Sequence, residues 1–413
     1  MPHLSPLEEL PFPERVAALR RRRGLSQREL AGALGRSESW VSQVERGVQP
    51  VERFAVLQAL ADGLGVSVRT LRPETAEAAD TEPPRGHRNE LDELRLALIG
   101  HPALAVLLNP SDEYPGLADL STLRARLAEA WESVHASRFS ALGQQLSALL
   151  PELETLVRIT KGAKRRVVSE LLASTYQATA AGFSATGEPD AAWIAADRAI
   201  RSAEDAHSPF HVMGGLFRMA QAFIRLDRLD FAQHVASSSV EALQPLAAAP
   251  DPAPEALSLL GAMHLVLAIV AARENDRHGA HDHIATARTL AQQLGEDRDD
   301  MGTEFGPTNV ELHAITVAVD LGDAGEALAA GETLNVSSLS PERQARFHLD
   351  LARAHAQRRH VGDAVDQLLA AEQRSSEQLH NHELARETIR ELLGFAGRRP
   401  PDELLELAKR CGA

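Results

Sequence analysis

A single cysteine, Cys411, stands near the end of this 413-residue chain, so neither disulfides nor a cysteine metal site can organise the fold. Lysine is almost as scarce. Lys161, Lys164 and Lys409 stand against forty arginines, which in an alanine-rich chain reads as the coding bias of a GC-rich genome. No eighteen consecutive residues are apolar, and the opening Met-Pro-His-Leu-Ser-Pro lacks the basic-then-apolar pattern of a signal peptide. A cytoplasmic protein without a membrane segment is therefore expected. No phosphate-binding glycine loop and no nucleophile elbow occurs, so neither an enzyme nor a cofactor is expected. Glu274, His278, His281 and His283 have spacings that put three on one helical face, but Gly279 and the adjoining turn argue against a rigid site, and no metal is expected.

What is present begins at Leu25. Ser26 followed by Glu29 is a capping box, in which hydroxyl and carboxylate each satisfy an orphan N–H, so a helix starts at Gln27. Leu30, Ala31 and Leu34 share one face of it, and Gly35 suits a tight turn. Ser37 can cap the next helix, whose apolar positions are Val41 and Val44, and Gly47 closes it. Before this pair, Phe12, Val16 and Leu19 predict a helix from Pro13 to Arg22. After it, Leu57, Leu60 and Leu64 predict one over Val51 to Leu64, ended by Gly65, and Ser67 caps a fifth through Leu71. Two short helices about a glycine turn form a helix-turn-helix, whose second helix enters the major groove. With Val41 and Val44 facing inward, Glu38, Ser39, Ser42, Gln43 and Arg46 take the remaining faces. Gln43 is the best candidate for direct readout, since glutamine bonds adenine bidentately. Glu38 either accepts from a cytosine amine or supplies a favourable charge at a helix N-terminus. Trp40 either packs or touches sugar, phosphate or a thymine methyl.

These residues resemble the Cro and lambda-repressor type (XRE) of DNA-binding domain: Gln27, Glu29-Leu30-Ala31, Gly35, Val41, Glu45 and Gly47 fall on its pattern. The resemblance implies that Gln27 sits on a phosphate, that Glu38, Ser39, Ser42 and Gln43 face base edges, and that Arg20 and Glu45 form a partly buried ion pair. The candidate DNA-contacting set is Gln27, Arg28, Arg36, Ser37, Glu38, Ser39, Trp40, Ser42, Gln43 and Arg46. Charge fits this division. Residues 1–74 hold eleven arginines against nine acidic residues, a charge of +2, which leaves −17 for the remainder of a chain whose net charge is −15. The acidic part does not belong on DNA, whose phosphates demand cations. Arg21, Arg22, Arg23, Arg28, Arg36, Arg46 and Arg53 are the available ones.

The fold class expected is all-α: a five-helix DNA-binding domain (1–73), a polar, acidic, proline-containing linker (74–88), a helical connecting region (89–164) and a tetratricopeptide-like α-solenoid (165–413). Beyond Asn89 nearly every segment has helical period and β-branched alternation is nearly absent. Breakers are read at Pro110, Pro115, Pro151, Pro189, Pro209, Pro245, Gly295, Gly306-Pro307, Pro341 and Pro400-Pro401. Between them helices pair about turns near Gly187, Arg228, Arg277, Gly322 and His360, some forty residues apart. Small residues recur at the second helices, as in Asp190-Ala191-Ala192 and Asp363-Ala364, which resembles a degenerate tetratricopeptide array lacking most consensus Trp and Tyr positions.

Stacked hairpins make a superhelix with a concave surface that binds partners. Joined to a Cro-type domain, the layout resembles the bacterial peptide-sensing regulators of the RRNPP group. That resemblance implies asparagines on first helices of repeats that hold a ligand backbone. Asn309 stands in a comparable place, and a helix cap after the Gly-Pro turn explains it as well. Arg218 and Arg353, also on first helices, either pair with an acidic ligand or are ordinary surface arginines. The expected function is a sequence-specific regulator on double-stranded DNA, acting as a homodimer, with a peptide, small molecule or protein on the array modulating operator affinity. The alternative is an interaction scaffold that the helix-turn-helix merely localises to DNA.

Overall fold

Ser26 caps its helix as its spacing from Glu29 requires: its Oγ accepts the Glu29 N–H at 3.1 Å, and the Glu29 carboxylate accepts the Ser26 N–H at 2.7 Å. This is seen in a computed structural model that describes residues 11–23, 25–34, 36, 38–47, 51, 60–61, 63–64, 66, 91–99, 108, 118–397 and 399–413. The chain divides into two units, Met1–Arg88 and Asn89–Ala413. In the first, α1 (Phe12–Arg22), α2 (Gln27–Ala33) and α3 (Glu38–Glu45) enclose Val16, Leu19, Leu30, Ala31, Val41 and Val44, together with Leu60, Ala61 and Leu64 from the segment beyond. The turn at Gly35, the cap at Ser37, most of the expected Val51–Leu64 helix, the Ser67–Leu71 helix and the 74–88 linker lie outside the described residues.

The second unit begins with α4 (Asp92–Ile99), α5 (Leu120–His135) and α6 (Phe139–Ile159). It continues through α7 (Gly162–Ala185) and α8 (Pro189–Ala206), α9 (Pro209–Arg225) and α10 (Leu229–Ala247), α11 (Pro254–Arg273) and α12 (Arg277–Leu294), α13 (Pro307–Asp320) and α14 (Ala324–Thr333), and α15 (Pro341–Gln357) and α16 (Val361–Arg374). Three further helices end it: α17 (Ser376–Asn381), α18 (Glu383–Ala396) and α19 (Asp402–Cys411). The described residues contain no strand, only one isolated bridge between Arg298 and Phe305. Residues 89–164 share their core with the first hairpin, since Leu94, Leu98, Leu127, Phe139, Leu146 and Leu153 pack with Tyr176, Phe183 and Ala195.

One turn closes five successive hairpins. A residue of positive φ (Gly187, Asp227, Asn275, Gly322 or Arg359) is followed by one whose N–H bonds the carbonyl five positions back, at 2.8–2.9 Å. This 6→1 bond caps the orphan carbonyls of the first helix and starts the second at a fixed angle.

Pro151 and Pro245 are corrections: neither breaks a helix, and they lie inside α6 and α10. An interior proline costs about 3 kcal/mol. Around Pro151, Leu146, Leu149, Leu150 and Leu153 are at most 1% exposed, each contributing about 1.5–3 kcal/mol of burial, so packing outweighs the lost hydrogen bond. Helix α11 has the length and apolarity of a membrane span, but 89% of its apolar window is buried among its neighbours.

Contacts also join distant parts of the array. Glu377 accepts the Phe139 N–H at 2.6 Å, and Ser137 bonds Gln378, so the start of α6 meets the α17 segment near the far end of the array. The loop 295–306 borders an internal cavity through Gly302, Thr303 and Glu304. Its Phe305 is fully buried against Gly261, where a Cβ would lie 2.0 Å from the Phe305 Cζ. Only glycine allows that approach.

Candidate functional site

Helix α3 is held from behind. Val41 and Val44 are 1% exposed, and Glu45 at its end receives Arg20 of α1 through two bonds, Nε–Oε1 at 2.5 Å and Nη2–Oε2 at 3.0 Å. Arg20 also donates to the Leu25 carbonyl at 2.6 Å. Burial raises the Glu45 pKa, but hydrogen bonds from Arg20 and Gln27 outweigh it and hold the carboxyl below its ordinary range. Gln27 thus has a partner inside the protein: its Nε2 donates to Glu45 at 2.7 Å. An amide carries two protons, so the second remains available to a phosphate.

On the opposite face Glu38, Ser39 and Arg46 are exposed, and Ser42 and Gln43 are half-buried. Trp40 is half-buried against the core, and the Arg36 guanidinium lies 5.5 Å from its ring centroid. Arg46 folds back onto the Ser42 carbonyl at 3.2 Å, while Arg28 is exposed on α2. The geometry is that of a short polar helix displayed by a small core, with cations at its edges. Such a helix fits a major groove.

The second unit holds a cavity of about 480 Å³ whose lining includes Asn309, Arg218 and Arg353. Each of these three is engaged by protein. Arg353 joins Asp320 at 2.6 Å and Asp350 at 3.0 Å, and Asp350 also accepts from Thr316 at 2.7 Å. Arg218, 6% exposed, donates to the Gly302 carbonyl and lies 5.4 Å from the Trp131 ring centroid; it is not a surface residue. Asn309 is no helix cap, because Gly306 occupies that position; the Asn309 amide donates instead to the Glu304 carbonyl at 2.7 Å. Its Oδ1 is buried without a partner, as is the Nε of Arg218.

Sequence reasoning passed over Arg225, Arg343, Arg346, His313 and Glu342, which line the same cavity. Arg343 is paired, with Glu304 at 3.2 Å and Glu342 at 3.3 Å. Arg225 and Arg346 make no hydrogen bond or ion pair among the described residues. Arg225 keeps solvent-exposed surface while lining the cavity. Loss of bulk hydration, together with the charge of Arg346, pushes its pKa down to about 10. Burial and the charges of Arg346 and Arg343 hold His313 neutral, far below the usual imidazole range. Elsewhere, His355, His360 and Asp363 bring ligand atoms within 4.8 Å of one another, a grouping of metal-ligand types at the surface turn after α15.

Residues 13–74 match the helix-turn-helix domain family. No curated protein matches the sequence. A solved structure of a PrgX mutant aligns with 97% of this chain and 100% of its own at 9% identity, with a TM-score of 0.20.

Proposed function

We propose that this DNA-binding regulator reads a two-fold operator as a homodimer, through residues 13–71, and that a ligand in the array cavity sets its operator affinity. The observation that carries the reading is α3 itself: Val41 and Val44 inward, Arg20 clamping Glu45, and Glu38, Ser39, Ser42, Gln43 and Arg46 outward. A single head with a charge of +2 neutralises few phosphates. Pairing two heads on half-sites supplies what one lacks. The ligand part is supported by a cavity of about 480 Å³, inside the range of small-molecule sites. A ligand that favours one conformation of the array shifts the population, and operator affinity with it.

Selection of the full-length protein against random duplex DNA at physiological salt tests this. The expected product is a two-fold symmetric site. Gln43→Ala should lose about 1–3 kcal/mol of discrimination at one base position, whereas Gln27→Ala should weaken all sequences alike, because phosphate contacts carry no sequence information. A profile unchanged by Gln43→Ala overturns the assignment of direct readout. An asymmetric single site overturns the dimer.

A further inference from the structure

Most of the acidic groups near the heart of the array cavity already have partners. Asp320 and Asp350 hold Arg353, and Glu304 and Glu342 hold Arg343, while Glu342 also accepts from Gln378 at 2.9 Å. Two guanidiniums remain, Arg225 at the end of α9 and Arg346 in the middle of α15, which line one cavity from helices far apart in the chain. Among the described residues neither has a bonded counter-ion: Glu342 acts on both and Asp350 on Arg346 only through space, while the two arginines repel each other. The cavity wall also carries unanswered hydrogen-bonding atoms. Asn309, 1% exposed, has an acceptor without a donor, and Arg218, 6% exposed, has a donor without an acceptor.

From this arrangement we infer that the cavity binds a small oxyanion, a molecule with one or more carboxylate or phosphate groups, whose negative charge bridges Arg225 and Arg346. Arginine suits this because its planar fork matches both oxyanions bidentately. A small molecule fits better than a peptide. The space is about 480 Å³, and the loop 295–306 borders it. By bridging α9 and α15, such an anion links two hairpins that are separated by α10 to α14 in the chain. This inference rests on the proposal that the cavity is a ligand site.

The test is thermal denaturation of the full-length protein with inorganic phosphate, citrate or a hexose phosphate, against sodium chloride at matched ionic strength and against the neutral hexose. At least one anionic probe should raise Tm by several degrees in a saturable way, and the neutral hexose should not. Arg225→Gln and Arg346→Gln should each raise the Tm of the ligand-free protein by relieving repulsion, while cutting the response to that anion at least tenfold. That paired signature separates lost recognition from misfolding. The inference falls if no anion exceeds the salt control, or if both variants respond like the parent. Operator binding is measured in parallel: an anion that raises Tm through these arginines but leaves DNA affinity unchanged sustains the site and removes its regulatory role. If DNA affinity responds to cell extract and Tm to no anion, regulation stands and the oxyanion assignment falls.

Discussion

Ser137 and Gln378 lie 241 residues apart in sequence, yet the serine Oγ donates to the amide Oε1 at 3.3 Å. Next to them Glu377 accepts the Phe139 N–H at 2.6 Å, so a residue from the far end of the array serves the first turn of α6. An open solenoid unfolds nearly repeat by repeat. Here the two ends depend on each other.

Replacing Glu377 by Ala should therefore cost about 1–2 kcal/mol, as loss of a helix cap does. Amide hydrogen exchange should accelerate together at the start of α6 and in α17. Acceleration confined to α17 would show that the two ends are not coupled.

Arg20→Ala leaves Glu45 buried without its counter-ion, a change that costs about 3–5 kcal/mol. That is a large share of the stability of a small domain, which is about 5–15 kcal/mol. Limited proteolysis of the full-length variant should cut within residues 11–66 and spare the array, and base-specific DNA binding should disappear. The exchanged pair Arg20→Glu with Glu45→Arg should recover part of the loss. Equal damage from the single and double changes would deny the pair its role.

Gly261→Ala should destabilise by about 1–3 kcal/mol, because a methyl group cannot share space with the Phe305 ring. Combined with Phe305→Leu, the penalty should be smaller than the sum of the two single penalties. A double-mutant cycle on chemical denaturation measures this coupling; simple additivity would mean that the loop 295–306 moves away at no cost.

Burial and the neighbouring His283 push the pKa of His264 down to about 4, and burial holds His313 and His382 far below their ordinary value. The folded state thus resists protons that the unfolded chain accepts near pH 6.5. The stability these groups contribute is complete above about 6.5 and is lost as pH falls from there towards 4. Tm should decline across that window, and His264→Gln should make the decline shallower. An unaltered slope would show that His264 has no part in it.

The helix-turn-helix was legible because its signals are local. Ser26 and Glu29 cap one helix, and two valines orient the next. The hairpins were legible from period 3.6, but their turns were only partly marked: Gly187 and Gly322 carry the positive φ, while Asp227, Asn275 and Arg359 adopt it without being glycine. Pro151 and Pro245 misled because local propensity yields to tertiary packing. The cavity was out of reach for a different reason. Asn309, Arg218 and Arg353 were singled out one by one, but periodicity assigns a residue to a face of its own helix and not to the helices that face it. Arg225 at a helix end looks like an ordinary favourable cation, and nothing near it in sequence shows that Arg346 shares its space.

Helix α11 emerges from the ribosome before α12, α13 and Phe305, all of which pack with it in one core. Synthesis proceeds at about 5–20 residues per second. For several seconds the nascent chain therefore carries an apolar rod half covered by α9 and α10, with the length to enter a bilayer. The order of the helices therefore leaves this apolar helix waiting for partners that are made after it.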